Sequence, residues 1–446
     1  MIDIQTRSIL QKLLNISSHS NIKLFVVGGT LRDHILRKNI SDIDLTGKDA
    51  AKLAIQFAQS LNFSYVPLDK TPGRSTTRVI LPQQKHFDLT DMQGTTIEED
   101  LQKRDFTINA MGQELSDFLS NRKTIIDRHK GKEDLDKAII RSTSHSIFQA
   151  DPLRMVRAFR FAATMNFSID AETLNGISQN RKAISSTAGE RVWQELLYFF
   201  SANNTGALID LMQETELLSC LLSTSWPHWQ PISDNYNRLE HIISNSELYF
   251  PRQSAQIDLT MPALLKLSLL LKNLDTNLSI NDKGRKNFGL PKTYETLKSL
   301  KASNSEISFI CNTIQNAHYF SCSLFSNSNN KTLYDLCVLC GDQLMAGILL
   351  QISTLSYLDN FECSEIEKFN ACTQLLEFYF TRYLPVLGEK ALLNGKDIIR
   401  IFNISPSPKL GIMLETIQRA QVLGEIKTTK EAEALAEKIL KSQEQN

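Results

Sequence analysis

Apolar residues follow two rhythms along this chain, and the change between them divides it. Up to about residue 140, short strand-like runs alternate with helical spacing; beyond about residue 205 the spacing is almost entirely helical. Leu24 to Val27 is a short apolar, partly β-branched run that stops at Gly28-Gly29, which predicts a buried strand and a turn. The positions Leu31, Ile35 and Leu36 then predict a helix with Thr30 as its cap. From Ser41 to Leu45 the pattern alternates. In an extended strand Asp42 and Asp44 share one face, and Ile43 and Leu45 share the other. A helix is predicted over Ala50 to Leu61 and a strand over Phe63 to Leu68. An antiparallel pair follows, Thr76 to Leu81 and Lys85 to Thr90, folded around Pro82-Gln83, with Asp88 in its second strand.

Chemistry enters where these elements meet. Exposed amides at a helix start just after Gly28-Gly29 suit a phosphate. Two carboxylates side by side, Asp42 and Asp44, repel unless a cation lies between them, and a hard divalent ion such as Mg²⁺ with phosphate oxygens in its shell is the simplest explanation. Further on, Asp151, Arg154, Arg157 and Arg160 recur at steps of three on or beside one helix face. Such a stripe is either a solvated surface pair or a reader of base edges. As a reader, Asp151 accepts from the exocyclic amine of cytosine or adenine and Arg154 donates to the adjacent ring acceptor. Guanine and uracil present an oxygen where that amine should be.

Length and composition narrow the setting. A chain of 446 residues predicts two to four domains, and 49 basic against 49 acidic side chains leave nucleic-acid binding to local basic faces. MIDIQTRSILQKLLN has early acid and helical spacing, so it is read as no signal peptide; no uninterrupted apolar run reaches spanning length, and Met261 to Leu271 is broken by Lys266. A cytoplasmic protein without a membrane anchor is expected. Seven scattered cysteines do not form a disulfide framework, and Cys337-Val-Leu-Cys340 reads as two small apolar positions on one helical face.

GGTLRD followed by DIDL resembles the catalytic motif of the DNA polymerase β nucleotidyltransferase superfamily, and more narrowly the class II tRNA nucleotidyltransferase and bacterial poly(A) polymerase family. LQKRDFTINAMGQE, Leu101 to Glu114, resembles that family's RRDFTINA motif with Lys103 for its first Arg. The stretch around Asp151 resembles its EDxxR motif with Ala150 for the Glu, and Gly189 to Leu197 its next motif, where Arg191 and Glu195 are spaced to pair along the helix. Ile125 to Arg141 keeps Asp127 and Gly131 but has Lys130 for an expected Gly; Leu392 to Ile426 has Asn403 and Ser407 for two more.

The resemblance implies an α+β chain: an N-terminal mixed or antiparallel-sheet nucleotidyltransferase head (1–140), then a helical base-recognition neck (141–205), a body resembling a degenerate HD domain (206–325) and an RNA-binding tail (326–446). Lys272-Asn273 stands where that body's metal-binding His-Asp pair would be, so His241 and His318 are read as ordinary polar residues. The implied activity is addition of C and/or A from CTP and ATP to the 3′ end of tRNA, with Asp42, Asp44 and Asp88 as catalytic carboxylates and two Mg²⁺ held by Asp42 and Asp44. Gly28, Gly29, Arg32 and Arg104 fall to the nucleotide's phosphates; Asp105, also in the nucleotide-binding set, orients a basic or hydroxyl neighbour, and Asn109 donates to and accepts from the nucleotide. Asp151 and Arg154 fall to its base, and Arg157 and Arg160 to triphosphate or RNA backbone. Met92 to Glu99 is short where many members carry a longer flexible loop that helps shift the site from CTP to ATP. That brevity resembles members adding only the two cytidines. A poly(A) polymerase and a non-catalytic RNA-binding descendant stay open, as does the oligomeric state. Lys396, Lys409, Arg419 and Lys427 are candidates for RNA phosphate.

Overall fold

The structure is a computed structural model that describes residues 2–444 except 41, 123, 227, 252–260, 276–285, 321–328, 356–362 and 389–390. The chain folds into two compact units, Met1–Phe199 with Leu208–Ser223, and Phe200–Ala207 with Thr224–Asn446.

The first unit is built on a six-stranded mixed sheet in the order β3-β4-β5-β2-β1-β6. Its strands are β1 (Leu24–Val27), β2 (Asp42–Gly47), β3 (Ser64–Asp69), β4 (Thr76–Ile80), β5 (His86–Asp91) and β6 (Gly112–Glu114). All four residues of β1 are buried, as a central strand requires. β3 carries Pro67 and is largely exposed, as suits an edge. β2 runs antiparallel to β1 and parallel to β5, with Asp42 opposite His86 and Asp44 opposite Asp88. Ile43 and Leu45 are buried on the far face, so the predicted division of β2 holds. Helix α1 (Ile4–His19) starts at Asp3, whose carboxylate accepts the Thr6 N–H. α2 (Gly28–Ile35) leaves β1 directly, and α3 (Ala50–Ser60) lays Leu53, Ala54, Phe57 and Ala58 into the core. There Phe57 stacks on Phe87 of β5.

α4 (Ile97–Gln102), α5 (Leu115–Leu119) and α6 (Gly131–Asp136) complete the head. Lys130, in place of an expected glycine, adopts φ +57° just before α6. The Asp127 carboxylate accepts the next two N–H groups, of Gly131 and Lys132, and secures the turn. Gly131 itself is obligatory, since a Cβ there would lie 2.1 Å from the Thr107 carbonyl oxygen. Beyond it come α7 (Ile147–Ala150), α8 (Leu153–Met165), α9 (Ala171–Asn180) and α10 (Gly189–Ser201). α8 buries Leu153, Val156, Phe159 and Phe161, and Phe106 meets Phe161 edge to face.

Among the described residues of the second unit, every regular element is a helix. Lys266, which interrupts the apolar run, is only 2 % exposed within the helix Pro262–Leu271 and pairs with Glu240 at 2.6 Å. Glu240 also accepts the Thr205 and Gly206 N–H groups, so the buried charges are fully engaged. Cys337 and Cys340 are both buried on one helix, where burial pushes the Cys337 thiol well up. His241 is hydrogen-bonded to Tyr249. Asn330–Ser353 is long and apolar enough by composition to cross a membrane, yet it comprises two helices with a short 3₁₀ turn between them, and 67 % of its apolar 18-residue stretch is buried within the protein. Most of the polar connection expected over Phe325 to Lys331 lies outside the described residues; the helix after it starts at Asn330. Asn403, exposed at the end of the helix Gly395–Phe402, takes φ +52° where a glycine was expected; Leu393, Ile398, Met413 and Ile417 belong to a small core in the same C-terminal region.

Candidate active site

The site grows from the turn between β1 and α2. Gly28 has φ +62°, and a Cβ on it would come within 3.2 Å of an Arg104 guanidinium nitrogen and 3.3 Å of an Asp44 carboxylate oxygen. Only a bare backbone can pass so close to both. Thr30 does not cap α2 as its position suggested. α2 begins two residues earlier, behind Val27, and the Thr30 hydroxyl instead accepts the Asp44 N–H at 2.7 Å and donates to the Asp42 carbonyl at 3.2 Å. The glycine turn and the acidic strand are thereby tied together.

Asp42 and Asp44 point to one face, as the alternation required. Burial, followed by the Arg104 charge pulling the other way and by Asp88 and Asp42 nearby, leaves the Asp44 carboxyl raised to about 6. No hydrogen bond from a described residue reaches its oxygens. Asp42 lies 2.9 Å from His86 Nδ1. Asp88 is placed opposite Asp44, but both its oxygens are taken by Arg78, at 2.8 and 2.7 Å. Among the described residues there is no cluster of three or more His, Cys, Asp or Glu side chains arranged to hold a metal. The donor set is therefore two carboxylates, one of them raised and without a donor. That suits a hard divalent cation whose remaining ligands are phosphate oxygens and water.

The cations around this corner are held in fixed orientations. Arg104 gives Nε and Nη2 to the Asp100 carboxylate at 3.1 and 3.0 Å, leaving Nη1 facing Gly28. Arg32 pairs with Asp33 and donates to the Asn109 side-chain oxygen at 2.8 Å. Asn109 in turn donates to Asp105. Burial pushes the Asp105 carboxyl up, but Arg157 and the hydrogen bonds from Arg157, Asn109 and the Phe106 N–H outweigh it and hold the group below its usual range.

Arg157 and Arg160 converge on Glu195, at 3.3 and 2.5 Å, while Arg157 also grips Asp105 at 2.7 Å. The guanidinium of Arg160 lies 3.8 Å from the Phe161 ring centre, with those of Arg157 and Arg32 within 5.4 Å. These arginines thus brace α8 against the head and α10. The expected Arg191–Glu195 pair along α10 does not form: Glu195 is taken by α8, and Arg191 turns to Asp151. Asp151 and Arg154 also part company, Arg154 donating to the Lys103 carbonyl at 2.9 Å.

Residues 92–96 form a closed turn that runs into α4, whose first turn contains Glu99. The Gln93 N–H donates to Asp100, Lys103 Nζ donates to the Gln93 carbonyl, and the Glu99 carboxylate accepts from the Thr95 N–H and hydroxyl. Gly94, at φ +138°, leaves room for Glu99, which a Cβ would strike at 2.5 Å. Arg78, His86, Asp100 and Arg191 were not singled out from the sequence for these contacts. Two of them were readable: hairpin register sets Arg78 opposite Asp88, and His86 is two residues from Asp88 on the same face.

Three family models match: the poly A polymerase head domain over residues 74–141, the probable RNA and SrmB-binding site of polymerase A over 166–241, and tRNA nucleotidyltransferase domain 2 (putative) over 288–438. The CC-adding tRNA nucleotidyltransferase of Geobacter sulfurreducens is 27% identical, with 97% of this chain and 96% of that one covered. The A-adding tRNA nucleotidyltransferase of Deinococcus radiodurans is 24% identical, with 93% and 94% covered. The fold matches that of the Thermotoga maritima CCA-adding enzyme complexed with tRNA at a TM-score of 0.69 and 22% identity, covering 99% of this chain and 96% of that one.

Proposed function

Taking as premise that the chain belongs to the class II tRNA nucleotidyltransferase family, we propose that it extends the 3′ end of tRNA with cytidine from CTP. Nucleotidyl transfer rests on one observation above all: a raised, donorless Asp44 carboxyl beside Asp42, next to a glycine turn that admits phosphate. Asp42 and Asp44 would hold divalent cations, two Mg²⁺ in this reading, and these would supply Lewis acidity toward the RNA 3′-hydroxyl and countercharge for the pyrophosphate. The chain's own groups do the rest. Gly28 and Gly29 let the triphosphate approach the backbone, and Arg104 and Arg32 meet its charge. Asn109 is aimed by Asp105, and Asp88 adds to the field while Arg78 holds it. Asp151 accepts the exocyclic amine and Arg154 donates beside it. In this assignment Arg157 and Arg160 keep α8 in place, so that they serve the nucleotide through that helix. Residues 1–140 carry the chemistry, 141–205 the base reading and 326–446 the RNA contacts, in the cytoplasm.

The preference for CTP rests on the turn at 92–96. A site that takes a pyrimidine and then a larger purine must change shape. Here the turn is fastened to Asp100, which holds Arg104, and to Lys103, whose carbonyl holds Arg154. Labelled CTP and ATP offered separately to tRNA transcripts lacking CCA, and to transcripts ending in CC, test this. Two cytidines and no adenosine are expected. Adenosine on the CC end would overturn the restriction to C, a long A tail on unrelated RNA would make the protein a poly(A) polymerase, and no incorporation would overturn the enzyme reading.

A further inference from the structure

A polar groove of about 680 Å³ opens in the first unit, with Thr76, Thr90 and Gln93 on one wall and Asp151, Thr187 and Arg191 on the other. Thr90 is two residues from Asp88 on β5, so the groove begins beside the acidic corner and ends at Asp151. At that end the Asp151 carboxylate is pinned twice. One oxygen accepts the Leu153 N–H at 3.2 Å, and the other accepts Nη2 of Arg191 at 3.1 Å. Arg154, the sequence neighbour spaced to pair with Asp151, is engaged elsewhere, and Ala150 offers no polar side-chain atom. Arg191 is therefore the side chain that fixes Asp151.

We propose that Arg191 is a positioning residue for base selection: it holds the Asp151 carboxylate across the mouth of the groove so that an exocyclic amine, and not a carbonyl oxygen, is met there. The inference rests on the reading of Asp151 as the base-edge acceptor. Each carboxylate oxygen keeps a lone pair for the substrate after its internal bond is made. Fixing the acceptor is what turns it into a filter. A carboxylate free to rotate on an extended residue swings aside from uracil O4 and hydrates, whereas a pinned one meets that oxygen head-on. α10 suits the task because it grips α8 through Glu195 and the adjoining strandlike residue 151 through Arg191, using opposite charges one turn apart. Discrimination between cytosine and uracil is thereby coupled to the docking of α10.

The test compares kcat/KM for CTP and UTP on a tRNA transcript lacking CCA, in wild type, Arg191→Met and Arg191→Lys. The CTP-to-UTP ratio should fall about tenfold in Arg191→Met, the order expected for losing a charged hydrogen bond that acts on one substrate only. Arg191→Lys should recover part of it. The Arg191 side chain is 56% exposed, so the melting temperature should stay within a degree or two of wild type. An unchanged ratio in Arg191→Met that still adds C overturns the proposal. A wild-type protein that incorporates neither nucleotide overturns the reading of the enzyme itself, and this assignment with it.

Discussion

Two clusters of carboxylates lie within one unit and are treated oppositely. In the brace, Asp105 and Glu195 are matched by Arg157 and Arg160, every partner within 3.3 Å, and Asp105 is held below its ordinary pKa. At the corner, Asp44 is raised to about 6, and among the described residues the ion-pair partner of Asp42 is a histidine, His86. The same residue type stabilises one place and burdens the other. Burial acts on Asp44 as it does on Asp105; what differs is whether the protein supplies the countercharge or leaves it to come with the substrate. A corner compensated from within would hold no cation.

Removing the burden gives the sharpest break. Asp44→Asn should reduce nucleotide addition by more than about a thousandfold while making the metal-free protein more stable by about 1–2 kcal/mol, since the raised carboxyl no longer has to ionise in a poor environment. Incorporation assays and calorimetry read both, and the rise in melting temperature on adding Mg²⁺ should vanish. A variant that loses stability would place Asp44 with the brace. The next effect falls on the brace. Arg157→Met should cost about 3 kcal/mol in denaturant titrations at neutral pH, because Asp105 is left buried without its partner. The sign with pH follows from the depressed pKa of Asp105. Its stabilisation is present above the unfolded value and is lost as pH falls through the folded one, so the gap between wild type and variant should shrink below about pH 4. A gap that widens in acid would refute the assignment. The smallest change moves a group from one class to the other. Arg78→Met should free Asp88 at a cost of about 1 kcal/mol or less, given the partly exposed arginine, and lower the Mg²⁺ needed for half-maximal addition by about threefold. An unchanged or higher requirement would mean that Asp88 never takes part.

Much of the head could be read in the chain. The predicted helix at 50–61 and the strands at 63–68, 76–81 and 85–90 come within a residue of those observed, because each has a one-sided pattern and a turn at its end. The faces of Asp42 and Asp44 followed from alternation alone. What escaped was partner choice among like charges. Arg191 has Glu195 at the preferred helical spacing, yet two arginines of α8 reach that carboxylate from another helix and displace it. Thr30 looks like a cap by position, but α2 starts at Gly28, so its hydroxyl was free for the strand. Tertiary approach decides such cases, and spacing along one element cannot report it. Lys130 and Asn403 stand at left-handed positions where glycine was expected, and at the first of these the Asp127 carboxylate secures the turn without one.

The Thr30 hydroxyl has a consequence for motion. Because it joins the Asp42 carbonyl to the Asp44 amide across from the glycine turn, the two halves of the corner cannot part without breaking both bonds. Substrate entry and product exit must then be served by displacement elsewhere, leaving this pocket floor as a fixed anvil. Hydrogen exchange at the Asp44 amide should accordingly be as slow as in the core strands and indifferent to bound nucleotide.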